Sequence, residues 1–465
     1  MNVSLIFSEQ QYRQLAQHLF PDDGCEAVAL VLCGRAAGKD QHRLLARRLE
    51  LIPYIECRVR TPDRVTWSTN RLLPLLAEAE KKKLALVKIH GHKGYAQFSE
   101  VDDESDRELF PRIHCWLDDG LPHASAILMD DGRCFGRVVN EHGGFTPLTR
   151  VSVIGDDIRI FDASADYPSA VPEFGRRVAQ TFGQGTYDSL SKLRVGVVGC
   201  SGTGSPVIEQ LARNCVGSLV LVDPDHIEVK NLNRIYNSTA LDAANKTPKV
   251  QVAERAIAAI GLGTRVETHT KTLFDRVVVS ALSTCDILIG CMDSVDGRFA
   301  LNKLASFYMI PYFDLGVRID ADGKGSVDQV CGSVHYIKPG GSSLLSRSLF
   351  SMEQVRAAGL RRTDPEQYKK LLEEGYIRGV QEDRPAVIQL NTLIASIAIN
   401  ELLARLHPYR IDPNGDFGIV RVSLSHGIFD HEADGVACPV IGRHVGRGDV
   451  EPMLDMPELS QGTTS

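Results

Sequence analysis

Apolar residues fall along this chain in two alternating patterns. Short runs rich in Val, Ile and Leu, closed by Gly, Asp or Pro, predict buried strands over 26–34, 84–90, 193–198, 218–222 and 287–289. Shorter strands are predicted over 151–154, 158–161 and 419–424. Stretches with apolar residues three and four apart predict helices over 9–19, 103–117, 174–183, 206–214 and 387–406. In the last, Ile388, Leu390, Leu393, Ile394, Ile397, Ile399, Leu402 and Leu403 mark a long buried helix, read as core or dimer interface. Residues 351–379 are helical and charged, a crossover or lid. Strands alternating with helices in this way predict an α/β fold.

One junction between these patterns carries chemistry. The strand over 193–198 runs into Gly199-Cys200-Ser201-Gly202-Thr203-Gly204-Ser205, and a helix follows at once. A strand, tight loop and helix in that order point backbone N–H groups and the positive end of a helix dipole at one place, so a phosphate is the expected ligand. Asp223 closes the next strand about 20 residues on, where a dinucleotide fold binds ribose hydroxyls, and NAD is therefore a rival reading. The glycines fall as G-x-x-G-x-G, with Ser201 where glycine would let the backbone approach a pyrophosphate. Downstream stand Asn231-Leu232-Asn233-Arg234, then Lys249 at the start of a helix, then Asp293 beyond the strand over 287–289. Hydride transfer does not need this set. A triphosphate does, because cationic side chains neutralise its phosphates and a strand-end carboxylate holds Mg²⁺.

A second constellation lies in the amino-terminal third. The apolar run over 84–90 closes on His90-Gly91-His92, and side chains two apart on a strand share a face, so both imidazoles reach one metal ion. Glu26 stands at the mouth of the preceding buried strand. Ser99-x-x-Asp102 precedes the acidic helix and is close to a capping box with Ser99 as the N-cap, which by itself needs no chemistry.

Bulk properties narrow the field. A chain of 465 residues holds two or three domains with proper cores. With 24% charged residues and a net charge of −7, nothing favours nucleic acid as a partner. Eleven cysteines without one C-x-x-C pair argue against a disulfide scaffold and for a reducing compartment. No apolar run approaches the roughly 20 residues of a membrane helix, and the first residues lack the basic-then-apolar order of a leader, so a cytoplasmic protein without a membrane partner is expected.

Together Arg177, the loop from Gly199 to Ser205, Asp223-x-Asp225, Asn231-Leu232-Asn233-Arg234, Pro248-Lys249 and Asp293 resemble the ThiF/MoeB family of ubiquitin-activating-enzyme-like adenylyltransferases, over about residues 173–445. The resemblance implies a Rossmann-like domain with a mainly parallel sheet and an ATP site built on Gly199, Gly202, Gly204, Asp225 and Asn231. Asp223 would bind the ribose, Arg234 and Lys249 the phosphates, and Asp293 the Mg²⁺. Arg177 would reach the phosphates from the other subunit of a homodimer. The implied reaction is attack of a protein's carboxyl-terminal glycine carboxylate on the α-phosphate of ATP.

Glu26, His90-x-His92 and Ser99-x-x-Asp102 resemble the JAMM (JAB) metallopeptidases, which cleave at the carboxyl terminus of ubiquitin-like proteins. That resemblance implies a mixed α/β domain with one zinc on His90, His92 and Asp102, Glu26 as general base and Ser99 as stabiliser of the oxyanion. Six residues separate His92 from Ser99, one fewer than is usual in that family, and Lys93 stands where proline is common. Many ThiF relatives also carry a zinc on two C-x-x-C pairs. Here Ser343-x-x-Ser346 and Cys438-x-x-Ile441 occupy those places, so no second zinc is expected. No cysteine lies between Gly332 and Ala437, which predicts an activation that stops at the adenylate or passes it to an external nucleophile. Cys331 and Cys438 are the late thiols that would overturn this.

The expected organisation is a JAMM-like domain with linker over 1–165, a ThiF-type domain over 166–445 and an extended tail over 446–465. The expected activity is adenylation of a ubiquitin-like protein and zinc-dependent cleavage at its terminus, with a conjugating enzyme as a further partner. Activation of a sulfur-carrier protein, a scaffold with an inactive first domain and, more distantly, a dehydrogenase are the alternatives.

Overall fold

The computed structural model describes residues 1–163, 170–374 and 387–461. The chain divides into two compact units: residues 1–168 with Phe307–Met309 and Val445–Val450, and the remainder. The expected boundary near residue 165 and the end of the stretch 351–379 lie outside the described residues.

The first unit is built on strands β1 (Asn2–Ser8), β2 (Val28–Ala37), β3 (Gln41–Leu51), a small hairpin β4 (Cys57–Thr61) and β5 (Arg64–Trp67), and β6 (Ala85–His92). β7 (His123–Met129), β8 (Cys134–Val139), β9 (Phe145–Pro147), β10 (Arg150–Ile154) and β11 (Ile158–Asp162) follow. Its helices are α1 (Glu9–Leu19), α2 (Leu72–Lys82) and α3 (Glu100–Leu117). Nine strands form one mixed sheet in the order β11-β10-β1-β3-β2-β6-β7-β8-β9. β2 is buried almost throughout because both faces are covered: Ala29 and Val31 belong to one apolar cluster, with Leu15 and Leu19 of α1. Val28, Leu30 and Leu32 belong to another, with Leu75 of α2 and Phe110 of α3. A strand covered on both faces reads as a continuous apolar run. β2 pairs antiparallel with β6, placing Val28 opposite His90 and hence Glu26 close to the end of β6.

The second unit opens with α4 (Arg176–Phe182) and α5 (Gln184–Lys192), then β12 (Arg194–Val198), α6 (Gly204–Arg213) and β13 (Ser218–Val222). α7 (Ala240–Ala244), α8 (Lys249–Ile260), β14 (Arg265–His269), α9 (Arg276–Ser283), β15 (Ile287–Gly290) and α10 (Val295–Phe307) continue it. A long hairpin, β16 (Tyr312–Ala321) and β17 (Val327–Ile337), leads to α11 (Met352–Thr363), α12 (Pro365–Glu373) and α13 (Ile388–Leu406). β18 (Ile419–Ser423), β19 (Ile428–Glu432) and α14 (Pro439–Gly442) complete the set. The sheet runs β14-β13-β12-β15-β16-β17-β18-β19. It is parallel from β14 to β16 and antiparallel from β16 to β19. The chain therefore winds outward in both directions from β12, and the crevice at the carboxyl end of β12 is the topological switch where such sheets bind ligands. α13 packs on α6, β16 and β17, so the apolar repeat read as core or dimer interface is core.

One expectation is corrected. Residues 451–461 are not an extended tail: short turns at Met453–Asp455 and Pro457–Leu459 bury Met453, Leu454 and Leu459 to 7%, 1% and 0% exposure. Three apolar side chains spaced by prolines and acids carry neither helical nor strand period, so the pattern hides their burial. Among the described residues no helix is long and apolar enough to cross a membrane.

Candidate functional site

A cavity of about 650 Å³ opens at the carboxyl end of β12. Gly199 turns the chain there with φ +94°, and a Cβ on it would meet the Cys291 carbonyl oxygen at 2.6 Å, so only glycine fits. Gly202 passes just as closely under Asn391, and Gly204 opens α6. Gly199, Ser201, Asp223, Asp225, Lys249 and Asp293 line the cavity.

Asp223 is 5% exposed. Its carboxylate accepts hydrogen bonds from the Cys200 and Asp225 backbone N–H groups at 2.7 and 2.9 Å, which ties the acidic strand end to the glycine loop. Burial raises its pKa, opposed by Lys249, whose Nζ lies 3.9 Å away. Lys249 begins α8 and donates to Asp225 Oδ2 at 2.7 Å, a bond to a half-solvated carboxylate that an incoming phosphate would compete for. Asn231 is buried and its Oδ1 accepts from the Glu228 N–H at 3.0 Å, so it shapes the turn leading to Arg234. Arg234 lies against Gly202, its guanidinium donating to the Lys230 carbonyl. Arg177 is exposed on α4 and is not among the residues lining the cavity.

Three contributors escaped the sequence reading. Lys271 and Phe274 form one wall, Arg361 and Arg362 of α11 another. Asn391 of α13, 1% exposed, accepts from Thr203 Oγ1 at 3.3 Å. A polar residue inside the apolar repeat 387–406 was the available signal for Asn391; Arg361 and Arg362 lie in the charged stretch read as a crossover or lid, and nothing local marks Lys271 and Phe274.

In the first unit the strand pleat places His90 and His92 on one face of β6, and Asp102 reaches them from the first turn of α3. His90 Nε2 lies 2.9 Å from Asp102 Oδ1 and 3.0 Å from His92 Nε2, and the three ligand atoms lie within 4.8 Å of one another. The shortened spacer therefore still delivers Asp102. His92 Nδ1–H donates to the Tyr95 carbonyl at 3.1 Å, which leaves Nε2 with a bare lone pair facing the cluster. Two imidazole nitrogens and a carboxylate oxygen converging on one point fit a divalent cation of the zinc type.

Glu26 Oε1 lies 3.9 Å from His92 Nε2, and burial pushes its carboxyl up to about 7. Asp102 is held well below the usual carboxylate range: burial alone would raise it, and the bonds with His90, His92 and Ser99 outweigh that. The capping box is real as well. Ser99 Oγ donates to Asp102 Oδ2 at 2.7 Å and accepts from the Asp102 N–H at 3.2 Å.

Arg137 of β8, also unforeseen, grips the first turns of α3. Its guanidinium is stacked between the Phe98 and Phe145 rings, 3.7 Å from each, and bonds Asp106 at 2.7 and 3.1 Å as well as Asp103. A further group, His114, Asp119 and His123, has metal-like spacing but is filled by Arg35. That guanidinium donates to Asp119 at 3.1 Å and to the Pro122 carbonyl at 2.8 Å. His123 Nδ1 accepts from the Leu86 N–H, so its other nitrogen carries the proton. This is a salt-bridged core cluster, with a cation already inside it.

Residues 174–421 match the ThiF family, more than half of the chain. Ubiquitin-like modifier-activating enzyme 5 of Drosophila willistoni is 28% identical over 166 residues, covering 33% of this chain and 38% of that protein. The same enzyme of Drosophila ananassae is 28% identical over 166 residues, 33% of this chain and 39% of that protein. The chain thus matches well under half the length of these relatives. Among solved structures, Escherichia coli MccB with ATP is similar at 17% identity and a TM-score of 0.43, over 60% of this chain and 75% of that one. PaaA is similar at 19% identity and a TM-score of 0.41, over 59% and 78%. The glycine loop, the acidic strand end and the extent of the match agree: the chain belongs to the ThiF family.

Proposed function

We propose that the second unit uses MgATP to adenylate the carboxyl terminus of a small carrier protein and hands the acyl group to an external acceptor, as in activation of a sulfur carrier. The observation that carries this reading is one cavity holding the glycine loop, Asp223, Lys249 and Asp293 together. In the proposed reaction a carboxylate oxygen of the carrier attacks the α-phosphorus, the bond between the α-phosphorus and the bridging oxygen to the β-phosphate breaks, and pyrophosphate leaves. The Gly199 and Cys200 N–H groups are taken by the Val222 carbonyl and by Asp223, so the phosphates would meet the N–H groups further along the loop, from Ser201 to Gly204, and Asp223 would take the ribose hydroxyls. Lys249 exchanges Asp225 for the leaving phosphates, and Arg234, whose stem packs on Gly202 but which does not line the cavity, would turn its guanidinium from the Lys230 carbonyl to reach them. Asp293 is the residue that would hold Mg²⁺, which offsets charge developing on the pyrophosphate. We read the exposed Arg177 as serving the phosphates of a second copy in a homodimer. The absence of cysteine between Gly332 and Ala437 supports release to an acceptor outside the chain. A ubiquitin-like carrier destined for conjugation is the narrower form of the same reading.

The test is carrier-dependent exchange of labelled pyrophosphate into ATP. Glycine-ended sulfur carriers and ubiquitin-like proteins serve as substrates, with Asp293→Ala and Lys249→Ala as controls. Exchange that falls about 100-fold or more in both variants is the expected result, given what charge-stabilising groups contribute. Binding of NAD in preference to MgATP would overturn the reading.

A second reading rests on the convergence of His90, His92 and Asp102 beside Glu26. With zinc bound, the first unit would trim or release a carrier tail by hydrolysis, the metal supplying a water of near-neutral pKa. Glu26, its carboxylate 3.9 Å from His92 Nε2, is placed to take the water's proton and return it to the leaving amine. Ser99 would have to turn its hydroxyl from Asp102 to reach an oxyanion. One tightly bound zinc that Glu26→Gln retains while peptide cleavage is lost would support it. A metal-free protein whose carrier binding survives Glu26→Gln would favour the scaffold.

A further inference from the structure

The segment from Glu451 to Gln461 grips two walls of the ATP cavity at once. On one side Arg362 of α11 donates from Nε to Asp296 Oδ2 at 3.0 Å and from a terminal nitrogen to Glu458 Oε2 at 2.8 Å. The same guanidinium lies over the Phe274 ring, 3.3 Å from its centre. Arg362, Asp296 and Phe274 all line the cavity. On the other side Arg276, two residues beyond Phe274, bonds Glu451 at 3.1 Å and the Leu459 carbonyl. Glu451 in turn accepts from the Gln461 N–H at 2.7 Å, which closes the segment on itself.

Apolar burial pins it in place. Leu454 and Leu459 are 1% and 0% exposed, so the acids between them are presented at fixed positions. The ion pairs are about one-third exposed, and such pairs contribute little to stability by themselves. Their geometry is the informative part. A planar guanidinium held by two carboxylates on its edge and a ring on its face has one orientation, and lysine cannot reproduce that fork. α11 also packs on α12, and Ala357 is its one buried residue.

We propose that residues 451–461 are a strap that completes the nucleotide site, with Arg362 and Arg276 as positioning residues that hold α11 and the Lys271–Phe274 wall at the spacing the nucleotide requires. The proposal rests on the ATP reading above. The strap's contribution is to nucleotide binding, not to the chemical step, so its loss raises the KM for ATP and leaves kcat in place.

The experiment uses the full chain with Glu458→Ala, Arg362→Ala, the double variant and Arg362→Lys. MgATP affinity is measured by calorimetry, KM and kcat by pyrophosphate exchange, and the melting temperature without nucleotide is the control. Each alanine variant is expected to weaken ATP binding about tenfold, the order for one charge-assisted contact. The double variant should be no worse than the poorer single one, because both remove the same link. Arg362→Lys should fall between, and the nucleotide-free melting temperature of Glu458→Ala should move little, since a partly exposed ion pair contributes little to stability. Unchanged ATP affinity in Glu458→Ala and Arg362→Ala, with wild-type protein binding MgATP, would overturn the strap alone. Wild-type protein that binds no MgATP would overturn the ATP reading and the strap with it.

Discussion

Single residues carry the account at two points. At Gly199 the positive φ and the carbonyl of Cys291 leave no room for a side chain, so Gly199→Ala forces both backbone strain and a shift of the loop. Such strain costs on the order of 1–3 kcal/mol, and the phosphate cradle absorbs it. MgATP affinity measured by calorimetry should fall at least tenfold, whereas Ser201→Gly, at a position that tolerates glycine, should not weaken it. Arg137 is a buried cation. Removing the guanidinium leaves Asp106, fully buried, facing Lys88 alone and frees the start of α3 that carries Ser99 and Asp102. Arg137→Met should lower stability by about 3 kcal/mol or more in chemical denaturation, as breaking a buried pair does. It should also weaken zinc binding by tenfold or more in chelator competition. Arg137→Met protein with wild-type metal affinity would show that α3 finds its place without the clamp.

Elements differ in how far they could be read in advance. The strands β2, β12, β13 and β15 were legible because burial on both faces makes each a continuous apolar run. Ser99 was legible as a helix start because the capping box is local chemistry, and α3 indeed begins at Glu100. The pairing of His90 with His92 followed from the pleat of one strand; Asp102 joined them only through the JAMM resemblance, and its carboxylate does lie beside both imidazoles. The sequence reading has no counterpart for the hairpin β4–β5, for helix α2 or for the long hairpin β16–β17. α2 buries Leu72, Leu75, Leu76 and Ala79 at helical spacing and was open to the same reading as the other helices, whereas the hairpin strands are partly exposed and lack a clean period. The same holds for the cavity walls. Phe274, Arg362 and the strap meet only through long-range packing, and no local pattern announces an arginine shared between Asp296 and Glu458. Asn391 stands between these cases. α13 was legible, but the polar residue facing its phosphate loop required the packing of α13 on α6. Asn391→Leu keeps the helix and removes the contact with Thr203, so the melting temperature should change little while the ATP KM rises several-fold.

At the scale of the molecule each unit has its own core and its own cluster of chemistry, and they should respond to different conditions. In the first unit, burial pushes His42 and His123 down to about 4. Below the unfolded value near 6.5 the unfolded chain takes up protons that these folded histidines refuse. Their effect is therefore absent above pH 7 and costs stability as pH falls from about 6.5 toward 4. At pH 5 the loss is about 2 kcal/mol per histidine by linkage. Denaturation titrations between pH 7.5 and 5 should show it, with His42→Asn flattening the curve. The second unit's activity does not depend on metal at His90 and His92 in this account, so chelators that remove zinc should leave carrier adenylation intact when Mg²⁺ is supplied.

The central claim is that the crevice at the end of β12 activates a carboxylate with ATP, and trapping the activated carrier tests it most directly. The protein is incubated with MgATP and a glycine-ended carrier, hydroxylamine is added, and the carrier's carboxyl terminus is analysed by mass spectrometry. The account predicts a hydroxamate at the terminal glycine together with AMP and pyrophosphate, and neither product with Asp293→Ala. Carrier recovered unmodified while ATP is split to ADP and phosphate would contradict it.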